Sequence, residues 1–341
     1  RFIDFCLVKQ TRFDQTQNST ILELKWCSKA SCQQRKGRTG RLNAGYYFQL
    51  ITKKLSECLD AHPKPEILRT TLESPILKLK IYEPECEPND ILLKTIDPPS
   101  EEIILRTIFQ LEKMGALIKG QIIKLKNDSN NDSTKSDKII YYKSGVITTV
   151  GRIFAELPID IKYSRLIMIS YALGEIDLGI TLAAILSQER SIFLNSDTCN
   201  RYNLYKVKDF YSFKKECDFI ASYTAYRKWY YNYGHLLINA NVKYDTQLKN
   251  IDKKSYLEIK KYTQEQLLDL RTLKEVIRTE NDLKKRLAKF NLYNTHFESY
   301  VDPTKSINFQ DDDNVLILKI ILAGTFYNQI FVPEYLNTRN I

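Results

Sequence analysis

Apolar and polar positions alternate at the start of the chain and recur at helical spacing through most of the remainder. Residues 2–8 (Phe-Ile-Asp-Phe-Cys-Leu-Val) predict a short apolar strand. Residues 12–14 and 21–26 predict a hairpin around a polar turn at 15–19, and Leu22, Leu24 and Trp26 alternate with Glu23 and Lys25 in a half-exposed pattern. Ser28 is a good N-cap, and the residues after it tolerate a helix as far as Gly37 and Gly40. Residues 44–50 predict a further strand, and Pro63 and Pro65 mark a junction.

A new unit starts with residues 66–72 and 76–80. Asp97-Pro98-Pro99-Ser100-Glu101-Glu102 is a helix start, with candidate caps, early prolines and acids in the first turn. Its buried stripe is Ile104, Ile108 and Leu111, and Gly115 closes it. Two apolar runs, 116–125 and 139–142, flank a stretch of Asn, Asp, Ser, Thr and Lys at 126–138 that cannot pack and reads as a mobile tip of a β-wing. From residue 161 the pattern is helical: 163–173 ends at Gly174, and 177–187 carries Ile180, Ala183, Ala184 and Ile185.

Residues 264–290 form the longest helical stretch, with Leu267, Leu270, Leu273, Ile277, Leu283 and Leu287 inward and a break expected at Asn281 and Asp282. Asp311, Asp312 and Asp313 read as an acidic turn and not a metal site, because consecutive carboxylates diverge. A long apolar segment, 315–323, comes next.

Composition narrows the setting. At 341 residues the chain holds two or more domains, and 43% hydrophobic content suffices for packed cores. A net charge of +10 favours a polyanionic partner, nucleic acid before membrane. Seven cysteines without a C-x-x-C pair read as ordinary thiols of a reducing compartment, and three histidines leave little room for zinc. The sequons at Asn18, Asn127 and Asn131 then read as chance. No apolar run reaches the ~18 residues a membrane span needs, and no signal peptide opens the chain. The opening at Arg1, mid-strand in character and without methionine, reads as an internal piece of a longer protein.

Eleven of the 22 tyrosines lie between residues 201 and 262, with Trp229 and many lysines. Aromatics beside cations can stack bases while neutralising phosphate. Tyr223, Tyr226, Trp229, Tyr230 and Tyr233 nevertheless recur at helical spacing, which favours a packed face.

The sharpest chemistry lies at residues 28–41. On a continuing helix Gln34, Arg38 and Arg41 share a narrow arc, with Gly37 and Gly40 off it, where missing side chains would let a neighbour press close. Two fixed guanidiniums grip phosphate oxygens, and such arginine fingers are worth ~10³ to 10⁵ in phosphoryl transfer. A solvated basic helix is the plain alternative. It would not need two glycines and a glutamine at fixed offsets.

The pattern Gln34-Arg35-x-Gly37-Arg38-x-Gly40-Arg41 resembles motif VI of the DEAH/DExH-box RNA helicases, and the likeness extends in order along nearly the whole chain. Residues 3–9, 28–38 and 322–327 are most similar to the tudor-domain-containing members of the germline piRNA pathway. Thr39 departs from the family's small apolar residue, a mild change. The resemblance implies an α/β plus mostly α architecture. Residues 1–65 would be the end of a second RecA-like domain, 66–160 a winged helix, 161–292 a ratchet-like helix bundle, and 293–341 the start of an OB-like domain. It implies a hairpin that helps separate strands, Arg38 and Arg41 as catalytic fingers, and Gln34 with them as ATP-binding; no arginine-rich recognition helix is evident in the wing, which is therefore read as structural.

The resemblance further implies ATP with Mg²⁺ as cofactor, the metal ligands lying outside this chain, and single-stranded RNA and piRNA-pathway proteins as partners. A cytoplasmic, germ-granule location comes with it. There is no G-x-x-x-x-G-K-[ST] loop, no Asp-Glu-x-His box and no tudor domain, so the chain alone should not hydrolyse ATP. A general or spliceosomal DEAH helicase, or a non-catalytic helicase-like scaffold, are the alternatives.

Overall fold

A computed structural model describes residues 2–14, 19–40, 43–125, 139–195, 199–234, 253–293 and 307–327. These are mostly helical, with three two-stranded pairings. They divide into two compact units, 1–151 and 152–341.

Among the described residues the first unit carries all the strands. Strand β1 (Phe2–Asp4) pairs in parallel with β4 (Tyr47–Gln49), while β2 (Leu7–Asp14) and β3 (Ser19–Trp26) form an antiparallel hairpin with Leu7 opposite Trp26. The expected single strand over residues 2–8 is thus two. Cys6 takes a left-handed backbone (φ 56°), and its N–H donates to Asp4 Oδ1 at 2.9 Å. That kink lets the chain leave β4 and pair with β3. The expected turn at 15–19 lies mostly outside the described residues. Leu22, Leu24 and Trp26 are all more than half exposed, so the apolar edge of the hairpin faces outward.

Helices α1 (Lys29–Lys36), α2 (Lys53–Cys58), α3 (Glu73–Tyr82), α4 (Pro88–Leu92) and α5 (Glu101–Lys113) complete most of this unit. The α5 stripe is as the spacing predicts: Ile104, Ile108 and Leu111 are buried, and Gly115 follows with φ 75°. Strands β5 (Gln121–Leu125) and β6 (Ile139–Lys143) pair antiparallel. The polar stretch between them, expected to be a mobile loop, lies outside the described residues.

The second unit is helical. After α6 (Thr149–Glu156), which crosses the division, come α7 (Ile161–Ala172), α8 (Ile176–Leu186), α9 (Arg201–Tyr211) and α10 (Asp218–Trp229). They are followed by α11 (Lys253–Glu265), α12 (Leu270–Ala288) and α13 (Asp312–Thr325). Helix α8 packs on α7, α10 and α12, and α13 on α7. A Cβ at Gly179 would stand 2.5 Å from the Ser170 Cβ, so α7 and α8 meet only because that side chain is missing.

The break expected at Asn281 and Asp282 is absent. Helix α12 runs through both, and the real break is at Leu267 (φ 53°), after which Asp269 caps α12 by accepting from the Arg271 and Thr272 N–H groups. A half-buried asparagine and aspartate cost little mid-helix, whereas an N-cap carboxylate rewards a new start. Asp311 likewise caps α13.

At the centre of this unit Glu280 accepts from Tyr226 Oη at 2.6 Å and pairs with Lys284 Nζ at 2.9 Å. Burial raises the Glu280 carboxyl, but Lys284 and the Tyr226 hydroxyl outweigh it and hold it ionised, below the usual range. Among the described residues no helix is long and apolar enough to cross a membrane.

Candidate functional site

Helix α1 is tied down at both ends. Ser28 accepts from the Ser31 N–H, and the N–H groups of Lys29 and Ala30 donate to the carbonyls of Asp60 and Ala61 at 2.8 and 3.0 Å. The donors of this helix start are therefore spent on protein, and any anion must be met by side chains.

At the far end Arg35 donates to Asp4 Oδ1 at 2.7 Å and to the Leu7 carbonyl at 3.0 Å. Asp4 also accepts from Tyr47 Oη at 2.6 Å. One buried carboxylate thus joins β1, β4 and α1. Burial raises its pKa, but the bonds from Tyr47, the Cys6 N–H and Arg35 outweigh burial and hold it below the ordinary carboxylate value. Arg35 was legible only as a motif letter; its anchoring role needs Asp4, 31 residues away.

Arg35→Ala is expected to cost about 2 kcal/mol, less than a fully buried pair because Arg35 keeps some solvent, as read by urea unfolding. An unchanged midpoint would show that Tyr47 and Cys6 suffice. Asp4 and Glu280 both have lowered pKa values in the folded chain, so their stabilisation is complete above the unfolded value of about 4. It is lost as pH falls through the lower folded values. Unfolding free energy measured from pH 6 down to 3 should drop steeply below about pH 4, and Asp4→Asn should flatten part of that slope.

The helix does not continue far enough to place Gln34, Arg38 and Arg41 on one helical face. Gly37 caps it, the Arg38 N–H turns back to the Arg35 carbonyl at 3.1 Å, and Gly40 takes φ 84°. Neither glycine serves close packing: a Cβ on Gly37 would meet only its own turn, and one on Gly40 would make only ordinary contacts, 3.8 Å from the Asn43 carbonyl oxygen and 3.9 Å from the Gly45 nitrogen. Gly40 is needed for its left-handed backbone. Thr39 is not wholly neutral, for its Oγ1 is buried without a partner among the described residues.

Gln34 and Arg38 are exposed, and among the described residues the Arg38 guanidinium has no hydrogen bond or ion pair. Arg41 lies outside the described residues. An open groove beside α1 is lined by Lys29, Cys32, Gln33, Lys36, Tyr47, Gln49, Ser56 and Leu59, so Gln34 is not part of its wall.

Three cysteines with no spacing signal converge under α1: Cys6, Cys27 and Cys32. Burial pushes the Cys6 thiol up to about 12 and the Cys27 thiol up to about 11.

In the second unit Tyr223, Tyr226 and Trp229 are core, at 3%, 0% and 0% exposure, as their spacing indicated. Exposed rings include Tyr202, Tyr205 and Phe210 on α9, with Lys206 4.4 Å from the Tyr202 ring and Lys228 5.2 Å from Phe210.

No protein-family model matches the chain. Curated proteins do. The chain is 30% identical over 333 residues to the human ATP-dependent RNA helicase TDRD9, covering 96% of this chain and 21% of that protein. It is 29% identical over 330 residues to TDRD9 of Danio rerio, with 96% and 22% covered. To the probable ATP-dependent RNA helicase spindle-E of Aedes aegypti it is 29% identical over 332 residues, with 97% and 21% covered. The chain therefore spans about a fifth of the length of the curated relatives it matches. Over nearly its whole length it is a homologue of the TDRD9 and spindle-E helicases, the narrower likeness read from residues 3–9, 28–38 and 322–327.

Proposed function

We propose that the chain is part of the motor of an ATP-dependent RNA helicase, with Arg38 and Arg41 meeting the γ-phosphate and Gln34 positioning it or the attacking water. The observation carrying this reading is the division of labour around α1. Arg35 is committed to Asp4, while Arg38, one turn on, is exposed and without a polar partner among the described residues. A free guanidinium at the end of an anchored helix suits a phosphate oxygen. Asp4 is fully committed, so the arrangement suits the nucleotide's phosphates and not its Mg²⁺, whose ligands belong elsewhere in the full-length protein.

ATP, when bound, supplies the phosphoryl bond whose hydrolysis drives movement. The chain's own residues hold α1 in place and offer positive charge where the γ-phosphate's charge spreads. In this reading residues 66–160 are a winged helix, 161–292 a ratchet-like bundle and 293–341 the start of an OB-like domain. The exposed apolar edge of the β2–β3 hairpin is a strand-separating wedge. The relatives' names support RNA as the substrate. A role in germline piRNA-mediated silencing, in cytoplasmic germ granules, is the finer proposal.

The test is single-stranded RNA binding by the 341-residue chain without nucleotide. The +10 charge and the lysine–aromatic surface of α9 favour weak, salt-sensitive binding. With roughly three or four phosphates neutralised, at about −0.7 each on a single strand, log affinity should fall against log salt with a slope of about −2 to −3. Affinity flat in salt would overturn the electrostatic premise.

A further inference from the structure

The geometry points to a three-thiolate site for a soft metal ion at Cys6, Cys27 and Cys32, and we propose monovalent copper as its occupant. The three sulfurs all lie within 4.8 Å of one another, with Cys27 and Cys32 at 3.1 Å and Cys32 and Cys6 at 3.8 Å. Sulfurs about 2.3 Å from a shared ion stand roughly 3.8 to 4.0 Å apart. Cys6 and Cys32 already have that spacing, and Cys27 reaches it by moving less than ~1 Å.

The donors are rigidly presented. Cys6 sits at the left-handed corner between β1 and β2, Cys27 directly follows β3 with its N–H on the Cys6 carbonyl at 2.8 Å, and Cys32 projects from α1. All three are at most 5% exposed, with Leu59 packed beside them.

The donor count selects the ion. The carboxylate next to Cys6, Asp4, is held by Arg35, Tyr47 and the Cys6 N–H, and so is not free as a fourth ligand. Structural zinc is almost always four-coordinate, whereas all-sulfur soft sites suit Cu(I). Binding replaces S–H bonds with S–metal bonds and releases the displaced protons to solvent, with no change of oxidation state.

The test is anaerobic titration of the reduced chain with Cu(I) against a competing chelator, with Zn(II) in parallel. One copper per chain is expected, with X-ray absorption showing three sulfur neighbours and no oxygen or nitrogen. Affinity should fall at least ~10-fold in Cys27→Ser and be unchanged in Cys58→Ser, an exposed thiol that is not one of the three converging sulfurs. The absorption measurement on the unaltered chain keeps the proposal testable if Cys27→Ser does not fold. No stoichiometric uptake, uptake equal in Cys27→Ser, preference for zinc with a fourth light ligand, or a Cys27–Cys32 disulfide in place of bound copper would each overturn it.

Discussion

Trp229→Ala should lower the unfolding free energy of the chain by ~3 to 5 kcal/mol, the cost of emptying a large aromatic site in a packed core. The residue has no exposed surface, and its ring centroid lies 6.3 Å from that of Tyr226 within the core of the helical unit. Its Nε1–H has no partner among the described residues, so Trp229→Phe, which keeps most of the volume, should cost much less. Thermal or urea unfolding reads both variants. A base-stacking role predicts the opposite pattern: melting unchanged and RNA affinity reduced by ~1 to 3 kcal/mol. Intact stability in the alanine variant would return Trp229 to that role.

The second large effect is catalytic and belongs to the full-length protein. Arg38→Ala should cut RNA-stimulated ATP turnover by ~10² or more and leave RNA binding largely intact, because a lost charge-stabilising donor acts mainly on the transition state. Arg38 is the clean choice, since its exposed side chain has no described partner and its removal leaves α1 anchored by Arg35. Arg41→Ala should behave alike if the two act as a pair. Turnover within a factor of about three of the parent in both variants would remove the arginine-finger assignment. Arg35→Ala serves as the contrast, since its deficit should appear in stability.

Much of the local structure was legible because it depends on neighbours in sequence. The Ser28 cap, the α5 stripe of Ile104, Ile108 and Leu111, the closing glycines 115 and 174, and the buried register of Tyr223, Tyr226 and Trp229 all rest on short-range spacing. The motif at Gln34 to Arg41 was legible for the same reason, and together with residues 3–9 and 322–327 it pointed to the kind of helicase that the comparison then found.

What spacing could not supply were the choices made between distant residues. Periodicity continued α1 through Arg38 and Arg41, yet the chain ends the helix at Lys36, and the backbone turns left-handed at Gly40. Leu22, Leu24 and Trp26 alternate as a strand should, but alternation does not say which face is covered.

The break before α12 went to Asp269 because a capped start there outweighs two tolerable polar residues at 281 and 282. The Asp4–Arg35–Tyr47 knot and the Cys6–Cys27–Cys32 cluster join residues up to 43 positions apart. By itself the sequence determined the features set by near neighbours, namely the Ser28 cap, the α5 stripe, the closing glycines and the motif at Gln34 to Arg41. Only the tertiary structure decided which arginine is tied down, which is free, and which thiols meet, because burial and pairing are set by long-range packing and not by the spacing of residues along the chain.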